Sequence, residues 1–296
     1  MLQRFLQPSV LASVSNLELI ARTVVDGFVS GLHESPDFGF SQEFAEYRQY
    51  TPGDDLRHVD WNVFARSERM VLKRFRGETN SPVMVLLDAS NSMKMASHQV
   101  SKIDYARYVA ASIMYLASSQ QRDACGLLVF DDEIRNFVQP STRQGQLHRL
   151  LHALENAEPG ARTDFAKPFA HCMEFLRRRG IVVLVSDFLS DPETIVQTVA
   201  PLRYRGNEVI LLHVLDPQEV KPKFGEPVIL IDMETGDSLE VTPEYAQMEY
   251  PEKMKRHLET LEQKARGAGL DYHLMVTDQP LDDTLRQYLG IRQGRL

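Results

Sequence analysis

Val83-Met84-Val85-Leu86-Leu87-Asp88-Ala89-Ser90-Asn91-Ser92-Met93 runs five apolar residues, suited to a buried strand, straight into an acid and two hydroxyls one residue apart. Burying such oxygens without partners costs roughly 2–7 kcal/mol each. The end of this strand therefore either caps the next element or holds something. Similar aliphatic runs recur at 124–130 (ACGLLVF), 181–187 (IVVLVSD), 208–216 (EVILLHVLD) and 271–276 (DYHLMV). Between the first two, Ile103, Ala106, Ala110, Ile113 and Ala117 stand three or four apart and predict an amphipathic helix over Ser101 to Gln121.

Strands that are apolar throughout and alternate with helices imply a mostly parallel sheet covered on both faces. Residues 81–296 are accordingly read as one doubly wound α/β domain. Two excursions interrupt it: IRNFVQP at 134–140, an edge strand hairpinned to the one before it, and 226–242, an inserted β-hairpin turning at Thr235-Gly236-Asp237. A helix is expected from Phe165 to Arg179, with Arg177-Arg178-Arg179 in its last turn and Gly180 just beyond as a C-cap. A long helix from about Pro243 to Arg266 leads to the last strand.

Residues 1–80 read as an N-terminal extension packing on that domain, with a helix from about Asn16 to Val29 and a loop over 31–39. Next comes EFAEYRQYTPGDDLRHVDWNVFAR at 43–66, which holds the only tryptophan. Seven arginines and lysines face four acids between Arg48 and Arg76, so the stretch is locally basic. It is read as a brace, with Asp54, Asp55 and Asp60 paired to Arg48, Arg57 or Arg66, and Trp61 and Phe64 packed on the sheet edge. The alternative is a docking face for an acidic partner.

Composition narrows the function classes. A formal net charge of -8 repels nucleic acid and anionic lipid. No apolar run approaches the roughly 18 residues of a membrane helix, and Arg4, Pro8, Glu18 and Arg22 break any signal-like core, which makes a cytoplasmic location the expectation. The two cysteines, Cys125 and Cys172, lie among apolar neighbours and read as buried thiols. A phosphate-binding G-x-x-x-x-G-K pattern is absent, and Gly39 and Gly53 read as turn residues.

In open α/β sheets, ligands sit outside the carboxyl ends of the strands where strand order reverses. Asp88 and Asp187 stand at such ends, and Thr163 lies in Gly160-Ala161-Arg162-Thr163-Asp164, the loop leading into the next helix. With Ser90 and Ser92 they form an all-oxygen set suited to Mg²⁺ or Mn²⁺, which take oxygen ligands and in the case of Mg²⁺ keep some waters. Two carboxylates around a divalent ion make a formally neutral cluster. Such an ion can accept one more anionic oxygen, from an Asp or Glu of another protein.

Asp-Ala-Ser-Asn-Ser with a later threonine and a later strand-end aspartate resembles the metal-ion-dependent adhesion site of von Willebrand factor A domains. Together with EYRQYTPGDDLRHVDWNVFAR upstream, it resembles the domain of unknown function family 58, whose members contain such an A-type domain. The resemblance implies a doubly wound sheet of the von Willebrand factor A type and a metal site at Asp88, Ser90, Ser92, Thr163 and Asp187. It further implies a non-catalytic interaction module, with a MoxR-type AAA+ ATPase as a partner in maturation or assembly of other proteins.

Other readings compete. Ser90 and Ser92 could cap the following helix. Asp88 with Mg²⁺ could begin a phosphohydrolase site of the haloacid dehalogenase type, although the second acid expected two residues later is Ser90 here. His148 and His152 read as surface residues because Arg149 stands where a zinc protease needs glutamate. Asp164 reads as a helix N-cap and Asp131-Asp132-Glu133 as a solvated turn.

Overall fold

The computed structural model describes residues 7–33, 44–51, 59–67, 69–75, 82–160, 162, 164–165, 168–171, 179–281 and 285. Thr163, Cys172, Gly39, Gly53, Asp54, Asp55, Arg57, Arg177 and Arg178 lie outside them. The chain divides into two compact units, residues 1–29 with 80–296, and residues 30–79.

In the smaller unit, β1 (Phe44–Gln49) pairs antiparallel with β2 (Val71–Phe75). A short helix, Trp61–Ser67, follows Asp60, whose Oδ1 accepts the Val63 amide at 3.3 Å in the manner of an N-cap. Asp60 is buried, but Trp61 is 54 % exposed and meets only the edge of the partly exposed Phe64 ring at 6.0 Å among described ring contacts.

The larger unit is built on one six-stranded sheet. Its strands are β3 (Val83–Asp88), β4 (Cys125–Phe130), β5 (Ile134–Ser141), β6 (Ile181–Ser186), β7 (Glu208–Leu215) and β10 (Asp271–Val276), arranged β10-β7-β6-β3-β4-β5. All neighbours are parallel except β4 and β5, the expected antiparallel edge hairpin. β8 (Val228–Ile231) and β9 (Ser238–Val241) form the inserted hairpin, with Gly236 at φ 77° in its turn.

Every residue of β3, β4 and β6 is buried. Each large aliphatic side chain so placed contributes about 1.5–3 kcal/mol relative to exposure. The two faces have different covers. Helix Lys102–Tyr115 contacts β3, β6 and β7, and helix Gln146–Glu155 covers β4 and β5. Met84, Leu86, Val182, Leu184, Val209 and Leu211 pack with Ile195, Val199 and Leu202 of helix Pro192–Tyr204 and Leu261 and Ala265 of helix Tyr250–Gly267. The sheet is therefore doubly wound and mostly parallel, as expected of the von Willebrand factor A type. In helix Leu17–His33, Leu17, Ile20, Ala21, Val24, Val25 and Phe28 form a buried stripe. No helix among the described residues is long and apolar enough to cross a membrane.

Strand order fixes where a site can form. From β3 the chain steps to β4 and β5 on one side, then returns to β6, β7 and β10 on the other. The reversal lies between β3 and β6, so the crevice of an open α/β sheet opens where these two strands end. Asp88 closes β3, and Asp187 directly follows β6.

Candidate functional site

Asp88 is fully buried and its carboxylate is fixed from two strands. Its Oδ1 accepts the Ser90 amide at 2.9 Å, while Oδ2 accepts the Ser186 hydroxyl at 2.6 Å. The Ser186 oxygen in turn accepts the Phe188 amide at 3.1 Å, which ties the turn after β6 to the end of β3. Phe188 takes a left-handed φ of 44°, a conformation that costs a non-glycine residue of order 1 kcal/mol. Its carbonyl lies 3.1 Å from Nε2 of His257.

Ser90 precedes a 3₁₀ turn, Asn91–Lys94, but makes no side-chain cap to it. Its hydroxyl instead lies 3.0 Å from that of Ser92. The capping alternative therefore fails for Ser90. Ser92 also helps hold the Asp187 carboxylate in its charged form. Asp88, Ser90, Ser92 and Asp187 thus come together at the ends of the two central strands. Thr163 lies outside the described residues, but its loop starts at the same place, because Gly160 donates its amide to Ala89 O at 2.7 Å.

A buried cation accompanies the two acids. Lys102 opens its helix, is inaccessible to solvent, and donates from Nζ to Asp187 Oδ2 at 2.8 Å and Glu219 Oε1 at 2.6 Å. Glu219 belongs to a capping box in the turn after β7, where its Oε2 accepts the Asp216 amide at 2.8 Å. Asp216 also accepts the Ser97 amide at 2.8 Å. One network therefore links the ends of β3, β6 and β7.

Burial, reinforced by the negative charge of Asp187, pushes the Asp88 carboxyl up to about 7 against hydrogen bonds from Ser186 and Ser90. Burial works on Asp187 in the same direction, but the Lys102 ammonium outweighs it and holds Asp187 below the ordinary carboxylate range. Lys102 is disfavoured as a cation by its burial, yet Asp187 and Glu219 together raise it above an ordinary lysine. His213 is buried behind Phe188, 2.7 Å from the Tyr272 hydroxyl through Nδ1, and burial depresses it to about 3. Among the described residues no three His, Cys, Asp or Glu side chains form a group able to hold a metal ion, so a cation here would rely on the serine hydroxyls.

The inserted hairpin leans over one edge of this set. Asn91 donates from Nδ2 to the Met233 carbonyl, and Arg162 donates from Nε to the Glu234 carbonyl at 3.3 Å. A hollow of about 510 Å³ lies there, lined by Asn91, Asp132, Gly160, Arg162, Asp164 and Met233. Behind the tip, Ile229, Ile231 and Leu239 are 68, 65 and 58 % exposed.

Several other readings resolve differently. Asp131 is not solvated: it is fully buried, accepting the Arg135 guanidinium at 2.7 Å and the Glu133 amide at 2.9 Å. Asp164 donates its amide to Asp131 O at 3.0 Å. His148 and His152 are exposed and stacked, as expected. Gly180 does not take the left-handed conformation of a helix-ending glycine; a Cβ there would lie 2.5 Å from the Pro82 carbonyl oxygen, so the need is close approach of two strands. Ser186, Lys102 and Glu219 escaped the sequence reading. A cation in the first turn of a helix opposes the helix dipole, which is the signal that could have marked Lys102.

Comparison with known proteins agrees with this architecture. The chain is 29 % identical to "Uncharacterized protein Rv1480" of Mycobacterium tuberculosis over 98 % of its own length and 92 % of that protein. It is 30 % identical to "Uncharacterized protein MAV169" of Mycobacterium avium over 51 % of this chain and 89 % of the other. Among solved structures, BatB from Bacteroides thetaiotaomicron superposes with a TM-score of 0.51 at 14 % identity, covering 72 % of this chain and 99 % of BatB. The likeness to BatB is one of fold. The family model for "Protein of unknown function DUF58" matches residues 46–260, spanning the basic stretch, the strand-end acids and the hairpin, and the chain belongs to that family.

Proposed function

We propose that this chain is a non-catalytic protein-interaction module of the cytoplasm. In this reading Asp88, Ser90, Ser92, Thr163 and Asp187 hold Mg²⁺ or Mn²⁺, and a partner protein completes the shell with an Asp or Glu. The observation that carries it is the 3.0 Å separation of the Ser90 and Ser92 hydroxyl oxygens beside two strand-end carboxylates. Adjacent oxygens of an octahedron with metal–oxygen distances of about 2.0–2.1 Å are themselves about 3 Å apart, so the pair suits neighbouring ligands of such an ion. When bound, the ion supplies an open position for an anionic oxygen from outside.

A protein, rather than a small substrate, is favoured by the exposed apolar hairpin beside the set. A MoxR-type AAA+ ATPase is the partner that the family resemblance suggests. The phosphohydrolase alternative is disfavoured because Ser90 occupies the position where an acid would be needed to protonate a leaving group. Calorimetry with Mn²⁺ tests the reading: wild type should bind one ion and Asp88→Ala none, with the fold retained. Retention of the ATPase partner should be lost in EDTA. Equal Mn²⁺ binding by both proteins, or metal-dependent turnover of a generic phosphate ester, would overturn it.

A further inference from the structure

A fully buried lysine next to a proposed cation site poses an electrostatic problem. Its ammonium is 2.8 Å from a carboxylate oxygen of Asp187, and Asp187 is one of the proposed ligands. A unit charge held against a ligand of the site repels an incoming divalent ion, and a low effective dielectric strengthens that repulsion. The chain answers with Glu219, 2.6 Å from the same ammonium. Lys102 and Glu219 are formally neutral as a pair, leaving Asp88 and Asp187 as the net charge of -2 that a divalent ion would match.

The arrangement is built rather than incidental. Lys102 has no solvent-accessible side-chain surface, and the Glu219 side chain is 15 % exposed. Glu219 cannot swing away cheaply, because its second oxygen accepts the Asp216 amide within the capping box. Lys102 is anchored through its backbone as well, with its amide donating to Met95 O at 3.0 Å. Met95 follows the Asn91–Lys94 turn, so the lysine backbone is tied to the loop that carries Ser90 and Ser92.

We infer that Lys102 and Glu219 form a charge-setting pair for the metal site, in which Lys102 holds divalent-ion affinity down and Glu219 restores it. Resting on the metal reading above, this leaves the ion's affinity to be set by Asp88, Asp187 and the carboxylate that a partner brings. Lys102 also holds Asp187 in place through their 2.8 Å contact before any ion arrives.

The test uses opposite-sign variants and direct Mn²⁺ titration by calorimetry or electron paramagnetic resonance, each on the full chain after circular dichroism has verified folding. Lys102→Met should bind Mn²⁺ at least ~10-fold more tightly than wild type, and Glu219→Gln at least ~10-fold more weakly. The double variant should return close to wild type. Weaker binding by Lys102→Met would show the lysine to be a positioning group only and overturn the inference, as would unchanged affinity in both single variants. Should Lys102→Met fail to fold, the Glu219→Gln result decides alone. Binding by Lys102→Met where wild type shows none still supports the inference, whereas absence of binding in every variant overturns both it and the metal reading. If wild type binds Mn²⁺ and only the variants misbehave, the metal reading stands and the charge-setting role falls.

Discussion

Ser186 donates its hydroxyl to Asp88 across the join between two neighbouring parallel strands, at 2.6 Å, and both residues are fully buried. The contact makes a strand-end serine the link between the acid that closes β3 and the turn that carries Asp187. Removing it leaves a buried carboxylate oxygen short of a donor, which costs about 1–3 kcal/mol. Ser186→Ala should therefore lower the melting temperature by roughly 2–4 °C per kcal/mol lost in a unit of this size. Thermal denaturation in EDTA checks this without interference from any bound ion, and a mutant melting like wild type would show the contact to be dispensable.

Gly180→Ala should be destabilising for a reason unrelated to helix capping. The new methyl would stand 2.5 Å from the Pro82 carbonyl oxygen, and that oxygen accepts the Ile181 amide at 2.9 Å. Relief by moving Pro82 would loosen the first contact between β3 and β6, while relief by moving Gly180 would disturb the hydrogen bond that its amide donates to Asn207 Oδ1 at 3.1 Å. Overpacking of this sort costs about 1–3 kcal/mol. Chemical denaturation should show a lower midpoint with an unchanged slope.

Cys125 should be chemically silent in the folded protein. Its thiol is fully buried in β4, and burial pushes it up to about 12, so almost none is thiolate near neutral pH. Treatment with iodoacetamide at pH 8 followed by peptide mapping should leave Cys125 unmodified until denaturant is added. Rapid alkylation in native buffer would mean that β4 opens locally.

What was legible in the sequence follows from how each feature is encoded. β3, β4, β6 and β7 announce themselves because strands buried on both faces must be continuously apolar, and the strand ends can then be placed to a residue or so. Asp88, Ser90, Ser92 and Asp187 were legible because a polar cluster at the end of such a run needs a reason. Glu219 was not, because a glutamate in a first turn looks like an ordinary surface residue, and Lys102 offered only its place against the helix dipole, until tertiary packing brings the two together from 117 positions apart. Asp131 differs from its sequence reading for the same reason: an acid in a turn is normally solvated, and here the close approach of Gly160 and the reach of Arg135 help to cover it.

The basic stretch gives the last prediction, and exposure reverses the effect expected from the sequence. A buried brace would make Trp61→Ala cost about 3–5 kcal/mol, the scale of large aromatic truncations in cores. With Trp61 54 % exposed and its described ring contact limited to Phe64, the loss should instead be about 1 kcal/mol or less, the range of a single aromatic pair. The melting temperature of Trp61→Ala should stay within a few degrees of wild type. An exposed tryptophan beside arginines on a locally basic stretch has the composition of an interaction surface, since Trp and Arg are enriched where partners bind. Partner retention in Mg²⁺ should then fall in Trp61→Ala while its melting curve and its Mn²⁺ affinity hold, because this surface does not use the ion. A large drop in melting temperature would instead return Trp61 to a structural role.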